Sequence, residues 1–216
     1  MATRGRPQTI SDDELLDAAR AVFLEQAIGA TTAAIARKAR VAESVIFHRY
    51  KTKEALFCAV LDREARVPAV LEDLASRAGK GEIADTLFDA SMGVIEAARA
   101  MMPFFMVASM LGRAPRWKLD GLRERMRRPT PAHLRAVQLI AGFFNAEAER
   151  GRLRKVSAES LARIYLGTLM QHVIQQYWWG GPEVVPQVAS SDYVRSLIDV
   201  LLHGLVPRGP SPATRE

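Results

Sequence analysis

Only one cysteine, Cys58, occurs in the 216 residues, so no internal disulfide can staple the chain, and the usage fits a reducing compartment such as the cytoplasm. No apolar run approaches the roughly 18 residues of a membrane span. The opening MATRGRPQTI has no apolar h-region, so no secretory signal and no membrane partner are expected. Convincing period-two alternation is missing, which argues against a sheet architecture. So are a glycine-rich phosphate loop, a nucleophile elbow and a zinc motif. The four histidines, at 48, 133, 172 and 203, stand far apart with no cysteine or carboxylate at metal-ligand spacing. Neither a metal nor another cofactor is expected, and an enzyme ranks last among the readings.

What the chain does have is positive charge and helical periodicity. The net charge is +6 with a pI near 9.8, which permits an acidic partner. The charge is clustered. Arg37, Lys38, Arg40, Arg49, Lys51 and Lys53 face a single acid, Glu43, within 36–53. A second arginine-rich cluster occupies 113–128, for which a solvated helix face is the default account.

Residues 1–10 read as a flexible arm. Ser11 through Glu14 then form a capping box, with Ile10 and Leu15 placed as a hydrophobic staple, and the acids Asp12, Asp13 and Glu14 lie at the positive end of the helix dipole. Leu15, Leu16, Ala19, Val22 and Phe23 recur at helical spacing. Thr31 or Thr32 can cap a second helix reaching about Ala39; a third runs from about Ala42 to Arg49; Thr52 caps a fourth. Further helices follow, with Pro103 restarting one and Gly151 stopping another. The fold class is all-α: an N-terminal three-helix helix-turn-helix DNA-binding domain at 11–56, with its motif at 32–51, and a larger C-terminal helical ligand-binding and dimerisation domain at 57–206. The segment 180–186 reads as a loop, and 207–216 as a disordered tail.

On a helical wheel Ile46, Arg49 and Tyr50 of the third helix share a side, and Ser44 and His48 lie opposite. Small polar side chains outward with cations at both ends suit insertion into a major groove, since bases need close approach and phosphates need charge. A small surface helix with two exposed apolar residues fits the periodicity equally well.

The stretch ELLDAARAVFLEQAIGATTAAIARKARVAESVIFHRYKTKEALFCAVL resembles the DNA-binding domain of the tetracycline-repressor (TetR) family. Thr31-Thr32, Ile35-Ala36, Ala39-x-Val41, Ile46-Phe47 and Lys51-Thr52-Lys53-Glu54-x-Leu56 fall in register. The resemblance implies that Thr32 and Ala33 begin the second helix beside DNA, that Ala42, Ser44, Val45 and His48 face bases, and that Arg49, Lys51 and Lys53 face the backbone. Three residues depart from the family pattern. Arg40 stands where glycine is usual; in a left-handed turn it costs about 1 kcal/mol. Glu43 replaces a basic or amide residue and would repel phosphate, yet can accept from cytosine N4. Phe47 replaces a tyrosine and loses its hydroxyl.

Met101, Met102, Phe104, Phe105, Met106 and Met110 cluster around Pro103, with Trp117 downstream. Each alone reads as core packing; together they make an adaptable wall for an apolar ligand. The expected effector site comprises Met101, Phe104, Phe105, Met110, Trp117 and Phe143, with Gln171, His172 and Gln175 as polar anchors. The helix at 157–178 is apolar almost all round, which calls for a core on one side and a partner on the other. A homodimer is expected through Leu161, Tyr165, Leu169, Val173, Trp178, Tyr193, Leu197 and Leu201, the alternative being complete burial within one subunit. The combined expectation is a ligand-responsive regulator, a repressor binding palindromic double-stranded DNA as a dimer and released by a small hydrophobic or amphipathic effector. The runner-up is a helical carrier or sensor that buries a ligand without touching DNA.

Overall fold

The computed structural model describes residues 10–111, 124, 130–178 and 188–204. Trp117, the arginines of 113–128, the 180–186 loop and the tail at 207–216 lie outside the described residues. All regular elements among the described residues are helical. The chain packs as two compact units, one of 1–66 with 99–134, the other of 67–98 with 135–216. The boundary expected at residue 56 lies inside a helix; the chain divides instead after Arg66, and the first unit takes in a second, distant stretch.

In the first unit, α1 spans Asp12–Gln26, α2 Thr32–Ala39, α3 Glu43–Tyr50 and α4 Lys53–Glu64. Helix α1 starts where its capping box dictates: Ser11 Oγ accepts from the Glu14 amide at 3.2 Å, and the Glu14 carboxylate accepts from the Ser11 amide at 2.8 Å. Thr31, not Thr32, caps α2, its hydroxyl accepting from the Ala34 amide at 3.1 Å, and Thr52 caps α4 in the same way through Ala55. Leu15, Phe23, Ile35, Ile46, Leu56 and Phe57 are fully buried, and Phe23 meets Phe57 edge-on with centroids 5.0 Å apart. Each such side chain removed from water contributes about 1.5–3 kcal/mol.

Helix α7, Ile83–Leu111, runs uninterrupted through Pro103, contrary to the expected restart there. Pro103 is exposed, so water can serve the carbonyl that its missing N–H leaves unbonded. Its last part belongs to the first unit, where Met101, Phe104, Val107 and Ala108 join the core of α1–α4. Arg20 of α1 pairs with Glu64 at 2.9 Å and lies over the Phe104 ring at 5.6 Å. By length and composition Ile83–Met110 could cross a membrane, a feature that the search for an unbroken apolar run missed; 50% of its most apolar stretch is buried inside the protein.

The second unit contains two short helices, α5 (Ala69–Glu72) and α6 (Leu74–Arg77), the first part of α7, most of α8 (Pro131–Glu149), α9 (Ala158–Trp178) and α10 (Ser190–His203). A Cβ on Gly93 of α7 would sit 2.5 Å from Val70 Cγ1, so glycine permits the approach of α5. Polar groups hold this interior together. Glu147 of α8 is buried; its carboxylate accepts from the Gly79 amide at 2.7 Å and lies 3.3 Å from Arg152 Nε. The buried Tyr165 hydroxyl of α9 donates to the Leu87 carbonyl at 2.9 Å and lies 2.6 Å from Ser91 Oγ.

Candidate nucleic-acid interface

Helix α3 is held at both ends by turns that non-glycine residues rarely adopt. Arg40 precedes it at φ 56°, ψ 39°, in the left-handed region, and Lys51 follows it at φ 61°, ψ −41°. Two cations therefore occupy positions that glycine would fill with less strain. Ile46 anchors the helix in the core, and Val45, Arg49 and Tyr50 are half-buried. The exposed residues are Glu43, Ser44, Phe47 and His48, with Ala42 just before them. At 100° per residue these four form one continuous arc.

The structure changes the roles of several expected contacts. Val45 turns partly inward and is not on the open face, whereas Phe47, 45% exposed, stands in the middle of it. Arg49 is bound within the protein: Nη1 donates to Asp12 at 2.9 Å and Nη2 to the Ile10 carbonyl at 2.7 Å, tying α3 to the start of α1. Lys53 Nζ donates to the Ala30 carbonyl at 2.9 Å, and partial burial lowers its pKa, countered by Glu54. Lys51 Nζ donates to the His48 carbonyl at 3.2 Å while the residue stays exposed. Ala33 is exposed, and the Thr32 hydroxyl donates to the Glu43 carboxylate, linking the first turns of α2 and α3. Sequence spacing placed these residues on a common side of the domain but carried no sign of which would be occupied by one another.

Residues 15–60 match the family model for bacterial regulatory proteins of the tetR family. The helix-turn-helix segment is that of the TetR family. Solved structures share the fold over most of this chain. A protein of Mesorhizobium loti MAFF303099 assigned to the TetR-family transcriptional regulators is 16% identical, covering 88% of this chain and 94% of its own, with a TM-score of 0.68. The transcriptional regulator FadR of Bacillus subtilis, in complex with stearoyl-CoA, is 14% identical over 91% of this chain and 100% of its own, with a TM-score of 0.61. Thermus thermophilus FadR, a TetR-family repressor in complex with lauroyl-CoA, is 21% identical over 93% of this chain and 98% of its own, with a TM-score of 0.59. No protein of curated function matches the chain in sequence.

The other expected sites are divided between the two units. Met101 and Phe104 are buried in the core of the first unit, Phe105 packs against that core, and Met110 is 54% exposed. Phe143, Gln171, His172 and Gln175 belong to the second unit. Among these, Phe143 is buried, Gln171 is exposed and Gln175 is half-buried. His172 is already engaged: Nε2 lies 2.8 Å from Ser190 Oγ and 3.0 Å from Gln176 Nε2, and the ring stacks on Tyr193 at 4.2 Å. Of the expected dimer residues, Tyr165, Leu169 and Val173 are buried within the chain itself and leave no surface for a partner. They occupy the inward stripe of α9, which periodicity could not tell from the outward one because both are apolar. Leu161, Tyr193, Leu197 and Leu201 are half-buried; Trp178 ends α9. Ile164 at 60%, Tyr177 at 39% and Val200 at 42% are the more exposed apolar side chains of α9 and α10.

Proposed function

We propose that this chain is a TetR-family regulator, a homodimeric repressor that binds a palindromic operator through α3 and is released by a hydrophobic or amphipathic small-molecule effector. The observation that carries the reading is the open arc Glu43-Ser44-Phe47-His48 on a short helix set between two cation-bearing turns. A major groove admits such a helix, and Arg40 and Lys51 bring charge to the flanking phosphates. Dimerisation uses the outward stripe of α9 and α10, where Leu161, Ile164, Leu197 and Val200 leave apolar surface in water. The acyl-CoA carried by two structural neighbours makes long-chain acyl-CoA the first effector class to try, and the arginines of 113–128 supply charge suited to an anionic head.

Fluorescence anisotropy with duplex DNA over a salt series tests the first part. Affinity falls steeply with salt, and Lys51→Ala lowers the log–log slope by about one unit. Lack of salt-dependent binding to any duplex would favour a carrier or sensor. Sedimentation at micromolar concentration shows a dimer if the outward stripe is the interface; a monomer refutes it. Calorimetry with acyl-CoA, with and without operator, tests induction. The two affinities differ by the same factor by which acyl-CoA weakens DNA binding, on the order of 5- to 150-fold. Equal affinities defeat the induction step.

A further inference from the structure

Glu43 is an unexpected neighbour for DNA, and its contact with Thr32 gives it a task. A loose carboxylate at the tip of α3 would repel phosphate. Here one oxygen accepts from the Thr32 hydroxyl, which is free for this because Thr31 does the capping. The other oxygen has no partner among the described residues, and the residue is exposed. The carboxylate is thereby oriented before any DNA arrives, with acceptor capacity left on the open arc. One turn further along stands Phe47, an exposed apolar ring about 40° away around the helix.

We propose that Glu43 and Phe47 are specificity-determining residues: Glu43 reads a C·G pair through cytosine N4, and Phe47 reads a T·A pair through the thymine methyl. The inference rests on the DNA-binding reading and names the half-site it requires. In the major groove guanine offers only acceptors, and the adenine amino group stands beside the N7 acceptor, which repels a carboxylate. Cytosine carries only the N4 donor on its own major-groove edge, the nearest acceptor being O6 of the paired guanine. An apolar ring in the same groove finds its complement in the thymine methyl. One helical turn advances about 5.4 Å against roughly 3.4 Å per base step, so the two pairs lie one or two steps apart. Thr32 is a positioning residue, acting through Glu43 alone.

Selection of bound duplexes from random DNA by the full-length protein, repeated with Glu43→Gln, Thr32→Val and Phe47→Ala, tests this. Thermal melts confirm that each variant is folded. The wild-type chain enriches half-sites with C·G and T·A at that spacing. Glu43→Gln moves the preference at the first pair to A·T, because an amide can pair with adenine N6 and N7, and lowers binding to the C·G site about tenfold or more. Thr32→Val keeps cytosine preferred but reduces the preference about threefold. Phe47→Ala loses thymine at the second pair only. An enriched palindrome whose base preferences survive Glu43→Gln and Phe47→Ala overturns the proposal and leaves the regulator reading standing. Failure of the wild-type chain to bind any duplex at low salt removes both.

Discussion

Polar side chains do opposite things in the two units. Around α3 they are spent at the surface, and two cations sit in strained turns where glycine would be more stable. In the second unit they are buried and paired: Glu147 accepts from the Gly79 amide through one oxygen and faces Arg152 as an ion pair with the other, and Tyr165 reaches Leu87 and Ser91. The difference teaches that the helix-turn-helix gives up stability for exposed charge, whereas the second unit uses charge and hydroxyls to fix one packing. A buried charge stripped of its partner is expensive; an exposed one contributes little to folding.

The sharpest way to break the comparison is Glu147→Ala. It leaves the Gly79 amide without its acceptor and Arg152 without its counter-ion, and stability should fall by about 3 kcal/mol in urea denaturation. A loss below 1 kcal/mol would mean that the buried knot is not what holds the turn after α8 to the chain near Gly79. Tyr165→Phe comes next, with an expected loss of about 1–1.5 kcal/mol. Burial also raises the Tyr165 pKa above its ordinary 10, with the Ser91 hydrogen bond opposing. The neutral phenol is thus the form that folding prefers: its contribution is complete below pH 10 and fades as pH climbs from there toward the raised native value. Alkaline melts should therefore be less steep for Tyr165→Phe than for the wild-type chain.

How much of this was legible beforehand depended on the range of the interaction. The capping box at Ser11, the Thr52 cap and the inward side of α3 at Ile46 are set by residues within a few positions, and periodicity reached them. Arg49 with Asp12, and Glu147 with Gly79, join residues far apart in the chain, where no spacing rule applies. Met101 and Phe104 show a third case. Their apolar face was plain, but what would cover it was not, and it proved to be the helix-turn-helix core.

Smaller effects sharpen the comparison from the other side. Arg40→Gly should raise stability by about 1 kcal/mol, since the left-handed turn no longer carries a Cβ, while weakening DNA binding at low salt. A chain that loses stability would show that the arginine is held by contacts outweighing its strain. The smallest expected change is in acid. Hydrogen bonds from the Ser11 backbone and hydroxyl lower the Glu14 pKa from 4.5, so its support of α1 is complete above that value and disappears as pH drops through the lower native one. The melting temperatures of Glu14→Ala and wild type should therefore converge in that range.

That Met101, Phe104, Val107 and Ala108 complete the core of α1–α4 also bears on how the protein is made. A ribosome releases α3 long before it releases the residues that seal the interior beneath it. About 40 residues separate the end of α4 from that seal, which at ordinary elongation rates is roughly 2–8 s. For that interval the nascent segment carries an uncovered greasy face, a natural client for a chaperone waiting at the tunnel exit.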